Sequence, residues 1–474
     1  MSIDMLPSDV LLEIFDFYVN EYSDRSYKKA VEKWQTLVHV CHRWRSVVFG
    51  SPHRLNLQLV CTSGTLARDT LDVWPSLPLI IWGGANLAQG LTHVSNIIAV
   101  LERSGRVVEI GFSTDDDREL ENVLEAMQVP FPELTRLGLW SGGGIVPVLP
   151  DSFLGGSTPR LQFLMLHRIP FPGLPKLLLS ATHLVELHLV DIPHSGYISP
   201  EAMVTSLSTL TSLVILTLKF ESRLSRPDWA NRRLPPPTRS VLPVLSSFYF
   251  KGACEYLEDL VTCIDSPRLD KLSITWFDQI VFGMPQFIQF ISRSPILETF
   301  EKAIVDFSKY TATVKLSSQT SGYGTLNMAI SCRELDWQVS SMEQVCTSCL
   351  PPLSPLEDLY IYGHLFWPPV WQDNIENTLW LELLRPFTGV KNLYLSDKFA
   401  SLIIPALQEL TGGSTTEVLP TLQNIFLEEL QPSGTVQASI RQFAATRQVT
   451  SHPIAVSRWD NSKEDMEDSR RFLY

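Results

Sequence analysis

Cys346 and Cys349 form a C-x-x-C, in the stretch CTSC, and are the first place in this chain to look for chemistry. A structural zinc needs four ligands, and no second C-x-x-C exists to complete the set. A redox pair would call for an adjoining βαβ context that the flanking residues do not spell. The pair therefore reads as two structural thiols. Asp115, Asp116 and Asp117 could attract a cation, but the glycine and distal glutamate of a calcium loop are missing, so they read as a solvated turn. SGGG at 141–144 and GG at 155–156 lack the Lys-Ser/Thr that a phosphate loop requires. There is no G-x-S-x-G, and the ten histidines are scattered without an H-E-x-x-H. No catalytic constellation emerges and no metal or cofactor is implied. The expectation is a binding protein, not an enzyme.

The composition frames that expectation. The chain has 474 residues, 45% of them apolar and 19% charged, which is enough to bury a large core. It is too long for one ordinary compact domain, so either several domains or a repeat array is expected. A net charge of −13, from 38 basic and 51 acidic residues, disfavours general nucleic-acid binding. Seven cysteines, an odd number spread from Cys41 to Cys349, do not resemble a disulfide framework and point to a reducing compartment, cytoplasm or nucleus. Neither a signal peptide nor an apolar run of membrane-spanning length is found, so no membrane partner is expected. The stretch 223–243 carries Arg223, Arg226, Arg232, Arg233 and Arg239 with three consecutive prolines. It reads as a solvated loop, or alternatively as a docking arm for an acidic partner.

The elements follow from periodicity. Pro7 suits the start of a helix, and Leu11, Ile14, Phe15 and Tyr18 recur behind it at helical spacing, widened by Val10 and Leu12. A second helix is expected from about Trp34 to Phe49, with Trp34, Leu37, Val38, Cys41, Trp44 and Val48 on one face and Val40 and Val47 beside it. Gly50-Ser51-Pro52 ends it. The polar stretch 20–33 reads as a loop with some helix. Two short helices cannot bury this much apolar surface on each other, so part of it must face another domain or another protein.

LPSDVLLEIFDFY followed by WQTLVHVCHRWRSVV resembles an F-box: Leu-Pro, Ile-Phe, then Val-Cys-x-x-Trp-Arg. The resemblance implies a helical module that docks on a Skp-type adaptor and, through it, on a cullin ubiquitin ligase. On that pattern Leu6, Pro7, Leu11, Ile14, Val40, Cys41 and Trp44 match the adaptor-facing or module-packing positions. The long polar spacer departs from it. The alternative is a helical hairpin packing on its own domain, within a leucine-rich scaffold that serves no ligase.

From about residue 107 the chain repeats a Leu-x-x-Leu-x-Leu unit. It reads VVEIGF, LTRLGL, LQFLML, LVELHL, LVILTL, LSSFYF, LDKLSI and LETFEK, with first residues 27, 27, 23, 29, 32, 24 and 28 apart. After a weak copy near Leu326 come LEDLYI, VKNLYL and LQNIFL. A period in the high twenties with this core is the leucine-rich-repeat signature, in which inward leucines of stacked strands build a continuous core. Helix-like stretches at 200–210, 255–264 and 285–294 fall between strands. The expected fold is α/β: an N-terminal helical F-box followed by an irregular leucine-rich-repeat solenoid, a horseshoe. Irregularity is expected because no asparagine ladder fills the turn after each strand, where Pro170 and Pro193 shape the exits instead.

The stretches 54–59, 71–82, 371–396, 405–413 and 452–460 are similar to blocks found in basidiomycete fungal F-box proteins. The expected layout is F-box at 1–52, linker and N-terminal cap at 53–106, solenoid at 107–435, C-terminal cap at 436–460 and a disordered acidic tail at 461–474. Residues between the inward leucines should face solvent, because strand side chains alternate. Tyr360, Tyr362, Tyr394 and Phe426 then cluster in the later repeats. With Tyr249, and with Lys251 and Lys271 as a basic flank, they are the candidate binding surface for a protein target.

Overall fold

The computed structural model describes residues 6–20, 27–64, 71–84, 94–144, 146–227, 239–277, 284–294, 300–317, 324–364, 366–372, 375–409, 418–428, 435–449 and 453–459. The acidic tail and residues 228–238 of the arginine-rich insert lie outside them. Two compact units are present. One is Met1–Ile198 with Thr205–Leu213; the other is Ser199–Val204 with Val214–Tyr474.

The first unit opens with three helices, α1 (Ser8–Asn20), α2 (Tyr27–Val38) and α3 (His42–Gly50). The single helix expected over 34–49 is broken at His39-Val40-Cys41. The cause is local. Cys41 is extended, at φ −158° and ψ 168°, and its Sγ accepts the Trp44 amide at 3.5 Å, so it caps a new helix. The Arg45 Nε reaches back 3.0 Å to the Val38 carbonyl and satisfies the end of α2. The preceding polar stretch, expected to be mostly loop, supplies the first turns of α2 from Tyr27 onward.

Six parallel strands follow: β1 (Leu59–Thr62), β2 (Leu79–Gly84), β3 (Val107–Thr114), β4 (Arg136–Ser141), β5 (Phe163–His167) and β6 (Glu186–Ile192). The parallel stack thus begins at residue 59, and 53–106 is not merely linker and cap. The reason lies in LVCT and LIIWGG, whose buried positions continue the leucine column. Leu137, Leu139, Leu164, Leu166, Leu187 and Leu189 all face inward and are buried. Between strands, the backbone of the residue after the first leucine carries the stack forward. The Gln162 amide donates to the Thr135 carbonyl at 2.8 Å, and the Val185 amide to the Gln162 carbonyl at 2.8 Å.

In the second unit the sheet begins with β7 (Ile215–Phe220). A short parallel pair, β8 (Ser240–Val241) with β10 (Ile264–Asp265), stands apart from it. The main sheet continues through β9 (Ser247–Gly252), β11 (Lys271–Trp276), β12 (Lys302–Phe307), β13 (Thr311–Ser317), β14 (Thr325–Ser331), β15 (Asp358–Gly363), β16 (Asn392–Leu395), β17 (Asn424–Leu427) and β18 (Ala455–Arg458). Helices Cys254–Cys263, Pro285–Ser292, Leu335–Ser348, Asn377–Leu384, Asp397–Glu409 and Thr435–Val449 fill the connections.

The spatial order is β7-β9-β11-β14-β13-β12-β15-β16-β17-β18. All neighbours are parallel except β12–β13 and β13–β14, which are antiparallel. The LETFEK copy is therefore displaced. Its strand starts at Lys302, Glu301 lies before it, and residues 295–299 fall outside the described set. The Leu326 copy is real but pairs with β11, because β13 turns the chain back first. TATVKLS alternates strictly, with Ala312, Val314 and Leu316 buried, as a strand requires. Helix Thr435–Val449 precedes β18, which pairs with β17.

The inward register makes a direct prediction. Leu187 is fully buried in the column. Leu187→Asp should lower stability by about 3–5 kcal/mol, because an unpaired charge enters the stack. A denaturant midpoint equal to that of the wild type would refute the register.

Candidate interaction surfaces

The apolar residues of α1 divide between two faces. Leu11, Leu12, Phe15 and Val19 are buried against α2 and α3, with the Phe15 ring 4.7 Å from that of Trp44. Val10, Ile14, Phe17 and Tyr18, at i, i+4, i+7 and i+8, form a second apolar stripe open to solvent, where Phe17 is 67% exposed. The sequence reading had merged the two stripes. Among the candidate adaptor residues, Pro7, Ile14 and Val40 are exposed, Leu6, Cys41 and Trp44 are half-buried, and Leu11 is internal. The Arg43 guanidinium donates to the Leu6 carbonyl, which holds Leu6-Pro7 beside the break that exposes Val40.

The module is fastened to the sheet that follows. Trp34 Nε1 donates to the Gln58 carbonyl at 3.1 Å, immediately before β1. Trp34, Phe49 and Trp74 meet edge to face, with centroids 5.3–6.2 Å apart.

On the strands of the first unit, Trp82, Gly111, Gly138, Met165 and His188 share one row. The glycines are dictated by packing. A Cβ at Gly138 would lie 2.3 Å from the Trp140 ring, and one at Gly111 would lie 2.9 Å from the Trp82 ring. In the neighbouring row Arg136 lies 3.6 Å from Glu109 and 4.3 Å over the Phe163 ring. Burial pushes the Glu109 carboxyl above its ordinary range, and the Arg136 charge offsets part of that.

In the second unit Tyr360, Tyr394 and Phe426 do share a row, with Ser457 beyond them. Their rings stack at 4.0 Å and 4.5 Å, tilted by only 4° and 9°. They are not an open platform. The Trp459 ring lies 5.6 Å from both tyrosines, and Tyr360 is 6% exposed. Tyr394, Phe426 and Tyr362 remain half-buried.

The basic flank is also displaced. Tyr249 is half-buried on β9, Lys251 lies 5.7 Å from the Phe277 ring, and Lys271 is exposed on β11. Four strands separate β9 from β15, about 24 Å at the spacing of neighbouring strands. The cation that reaches the stack is Lys302, 4.0 Å over Tyr360.

A polar ladder escaped the sequence reading. Asn392 Nδ2 donates to Asp358 Oδ1 at 2.7 Å, and Asn424 Nδ2 to Asn392 Oδ1 at 2.7 Å. The signal was available, because these residues occupy the third position of LEDLYI, VKNLYL and LQNIFL.

The C-x-x-C thiols lie inside. Cys346 and Cys349 are buried at the end of helix Leu335–Ser348, and burial raises both pKa values, that of Cys349 to about 12. Cys254 is likewise held at about 12 by burial and by the Glu255 carboxylate, and burial holds Cys61 at about 11.

No family model matches the chain, and no curated protein matches it. Among solved structures, the chain is similar to the leucine-rich repeat-containing protein LegL7 from Legionella pneumophila. That match has 12% identity and a TM-score of 0.28, and it covers 82% of this chain and 98% of that one. The repeat assignment rests on the chain's own strands and buried leucines.

Two outcomes follow. Asn392→Ala removes both ladder hydrogen bonds and should cost about 1–3 kcal/mol, read as a fall in melting temperature. With a thiol probe on native protein, Cys346 and Cys349 should stay unlabelled while the half-exposed Cys41 reacts, because burial shields the pair and disfavours their thiolates. Equal labelling of all three would overturn the structural reading of the pair.

Proposed function

We propose that this chain is a non-catalytic adaptor whose N-terminal helices dock a Skp-type partner of a cullin ubiquitin ligase, while the repeat sheet holds a protein target. The observation that carries the reading is the second apolar stripe of α1. A short helix already buried on one side has no folding reason to present Val10, Ile14, Phe17 and Tyr18 to water. An exposed apolar helix face at this density marks a protein interface, and aromatic and aliphatic anchors dominate the energy of such interfaces.

The motif resemblance supplies the identity of the partner: Leu6-Pro7, Ile14-Phe15 and Val40-Cys41-x-x-Trp44-Arg45 match the F-box pattern. The similarity to basidiomycete fungal F-box proteins belongs to the same reading. On it the protein acts by proximity, holding the target's lysines near the charged conjugating enzyme. Cytoplasm or nucleus is then the place of action. A ligase-independent repeat scaffold is the second reading, and the polar stretch 20–33, which departs from the F-box pattern, favours it. Among the described residues no helix is long and apolar enough to cross a membrane.

Val10→Asp with Ile14→Asp tests the proposal. Both side chains are exposed, so the melting temperature should stay near that of the wild type. Recovery of the Skp-type adaptor on co-purification should fall below about a tenth. Undiminished recovery would leave the scaffold reading in its place.

A further inference from the structure

A second exposed apolar surface lies at the ends of β12, β14 and β15, far in sequence from the N-terminal helices. Three segments meet there. The tight turn after β12 carries Lys309 and Tyr310. The segment after β14 carries Arg333 and, in the first turn of helix Leu335–Ser348, Trp337. The loop after β15 carries Phe366, Trp367, Val370 and Trp371.

Hydrogen bonds stitch the three together. The Lys309 amide donates to the Trp367 carbonyl at 2.9 Å, and the Cys332 amide to the Tyr310 carbonyl at 2.9 Å. The Asp336 amide donates to Gln372 Oε1 at 3.0 Å, and Glu334 bridges to Val370. Fully buried Gln338 clamps the underside, its Nε2 donating to the Ser308 and Cys332 carbonyls, both at 2.8 Å. His364 Nδ1 accepts from the Phe366 and Trp367 amides at 3.3 Å and sets the loop's bend.

The platform is fixed from below, yet its rings point out. Phe366 is 78% exposed, Trp367 59% and Trp337 54%, with Tyr310 and Val370 also exposed. Large aromatic side chains at such exposure amount to roughly a few hundred Å² of apolar surface in one patch, the range that marks an interaction site on a monomer. Pre-ordered aromatic anchors bind with little ordering cost.

Charge narrows the partner. Lys309 and Arg333 flank the Tyr310 ring at 5.1 Å and 5.6 Å, and Lys398 lies 4.8 Å over Trp371. Among the described residues none of these three cations has a carboxylate partner, although the chain as a whole carries −13. A second copy would bring the same mixture of signs and no surplus of carboxylate for the three cations. A uniformly anionic bilayer fits poorly as well, because two of the cations have a carboxylate next to them in the chain, Glu334 after Arg333 and Asp397 before Lys398, and Asp336 follows close behind the first pair. Mixed signs suit a segment with placed charges.

We propose that this aromatic crest is a docking site for a segment of a partner protein that carries large apolar side chains flanked by carboxylates. The apolar side chains would settle among Trp337, Phe366 and Trp367, and the carboxylates would reach Lys309, Arg333 and Lys398. The inference does not depend on the N-terminal helices, and loss of the adaptor reading would leave it standing.

The test is a selection of short random peptides displayed on phage against the full-length chain, with the enriched peptides then synthesised and titrated. Enrichment of sequences pairing Leu, Phe or Trp with Asp or Glu is expected. Affinity should drop about tenfold or more on Trp337→Ala/Trp367→Ala, and Arg333→Glu should weaken binding while flattening its salt dependence. Both tryptophans are exposed, and an unchanged melting temperature confirms that the variants fold; Phe366→Ser is the substitute if it does not hold. Lack of enrichment, basic consensus peptides, or equal binding to the tryptophan variant would overturn the proposal. So would crest-dependent sedimentation with phosphatidylcholine/phosphatidylserine vesicles, or wild-type self-association abolished by the tryptophan variant, since these assign the crest to a bilayer or to a second copy.

Discussion

A parallel strand in this protein is buried by the strands on either side, by the column of leucines they share and by the helices packed against it. Leu137, Leu164 and Leu187 occupy matching positions on β4, β5 and β6, and each covers the next. Such a stack has no natural end, and its first and last members present apolar faces and unpaired backbone to whatever adjoins them. In the first unit, Trp34, Phe49 and Trp74 close the opening, and the Trp34 indole is tied to Gln58 at the threshold of β1. The N-terminal helices therefore cannot hang as a loose arm. The outer stripe of α1 is thereby held in fixed geometry relative to the sheet of the first unit. In the second unit, helix Thr435–Val449 packs with Phe443 buried and Arg447 reaching the Val418 and Leu419 carbonyls, and β18 pairs with β17.

The antiparallel strand β13 is the departure with consequences. Parallel neighbours need a crossover connection, and the route from one strand to the next ordinarily runs through a helix. Here β12 turns directly into β13 at Ser308–Tyr310, and Ser308 organises the turn by accepting from the Thr311 amide at 3.1 Å. That turn emerges at the same end of the sheet as the loop after β15, because β12 and β15 are parallel. The Tyr310 and Trp367 segments are neighbours for this reason, and Gln338 is buried beneath them to satisfy two carbonyls that a regular repeat would not have left open. The crest is thus a product of the irregularity in the repeat.

The leucine period was legible because each inward leucine answers to the same constraint, and periodicity reports constraints that recur. What happens once is harder to see. The break at Cys41 depends on one side chain accepting one amide, and nothing in the apolar pattern of 34–49 marks it. The strand β13 was visible in the alternation of TATVKLS, but the expected repeat spacing overrode it. The N-terminal strands β1 and β2 were passed over because their copies lack the full leucine unit, although their buried positions continue the column. For α1, hydropathy counts apolar residues without saying which have a partner. Leu11 and Ile14 look alike in sequence, and only packing separates the buried one from the exposed one.

The same distinction decides what the aromatic residues mean. Aromatic side chains at the fifth position of LEDLYI, VKNLYL and LQNIFL invited a reading as a binding surface. Strands in a sheet lie about 4.8 Å apart, close to the spacing at which flat rings stack. Equivalent aromatics on adjacent strands fall into register and cover one another, as Tyr360, Tyr394 and Phe426 do at 4.0 Å and 4.5 Å. The Asp358–Asn392–Asn424 ladder two residues earlier obeys the same geometry with hydrogen bonds in place of rings. Repetition across strands is itself a packing explanation, so aromatic content there says little about partners. Phe366, Trp367 and Trp337 have no such excuse. They lie outside the strand repeat, no register places them, and they are exposed on a scaffold braced from beneath. Where repetition explains a residue, packing is the sufficient cause; where it does not and the residue is still held out to water, packing within the chain leaves it unexplained.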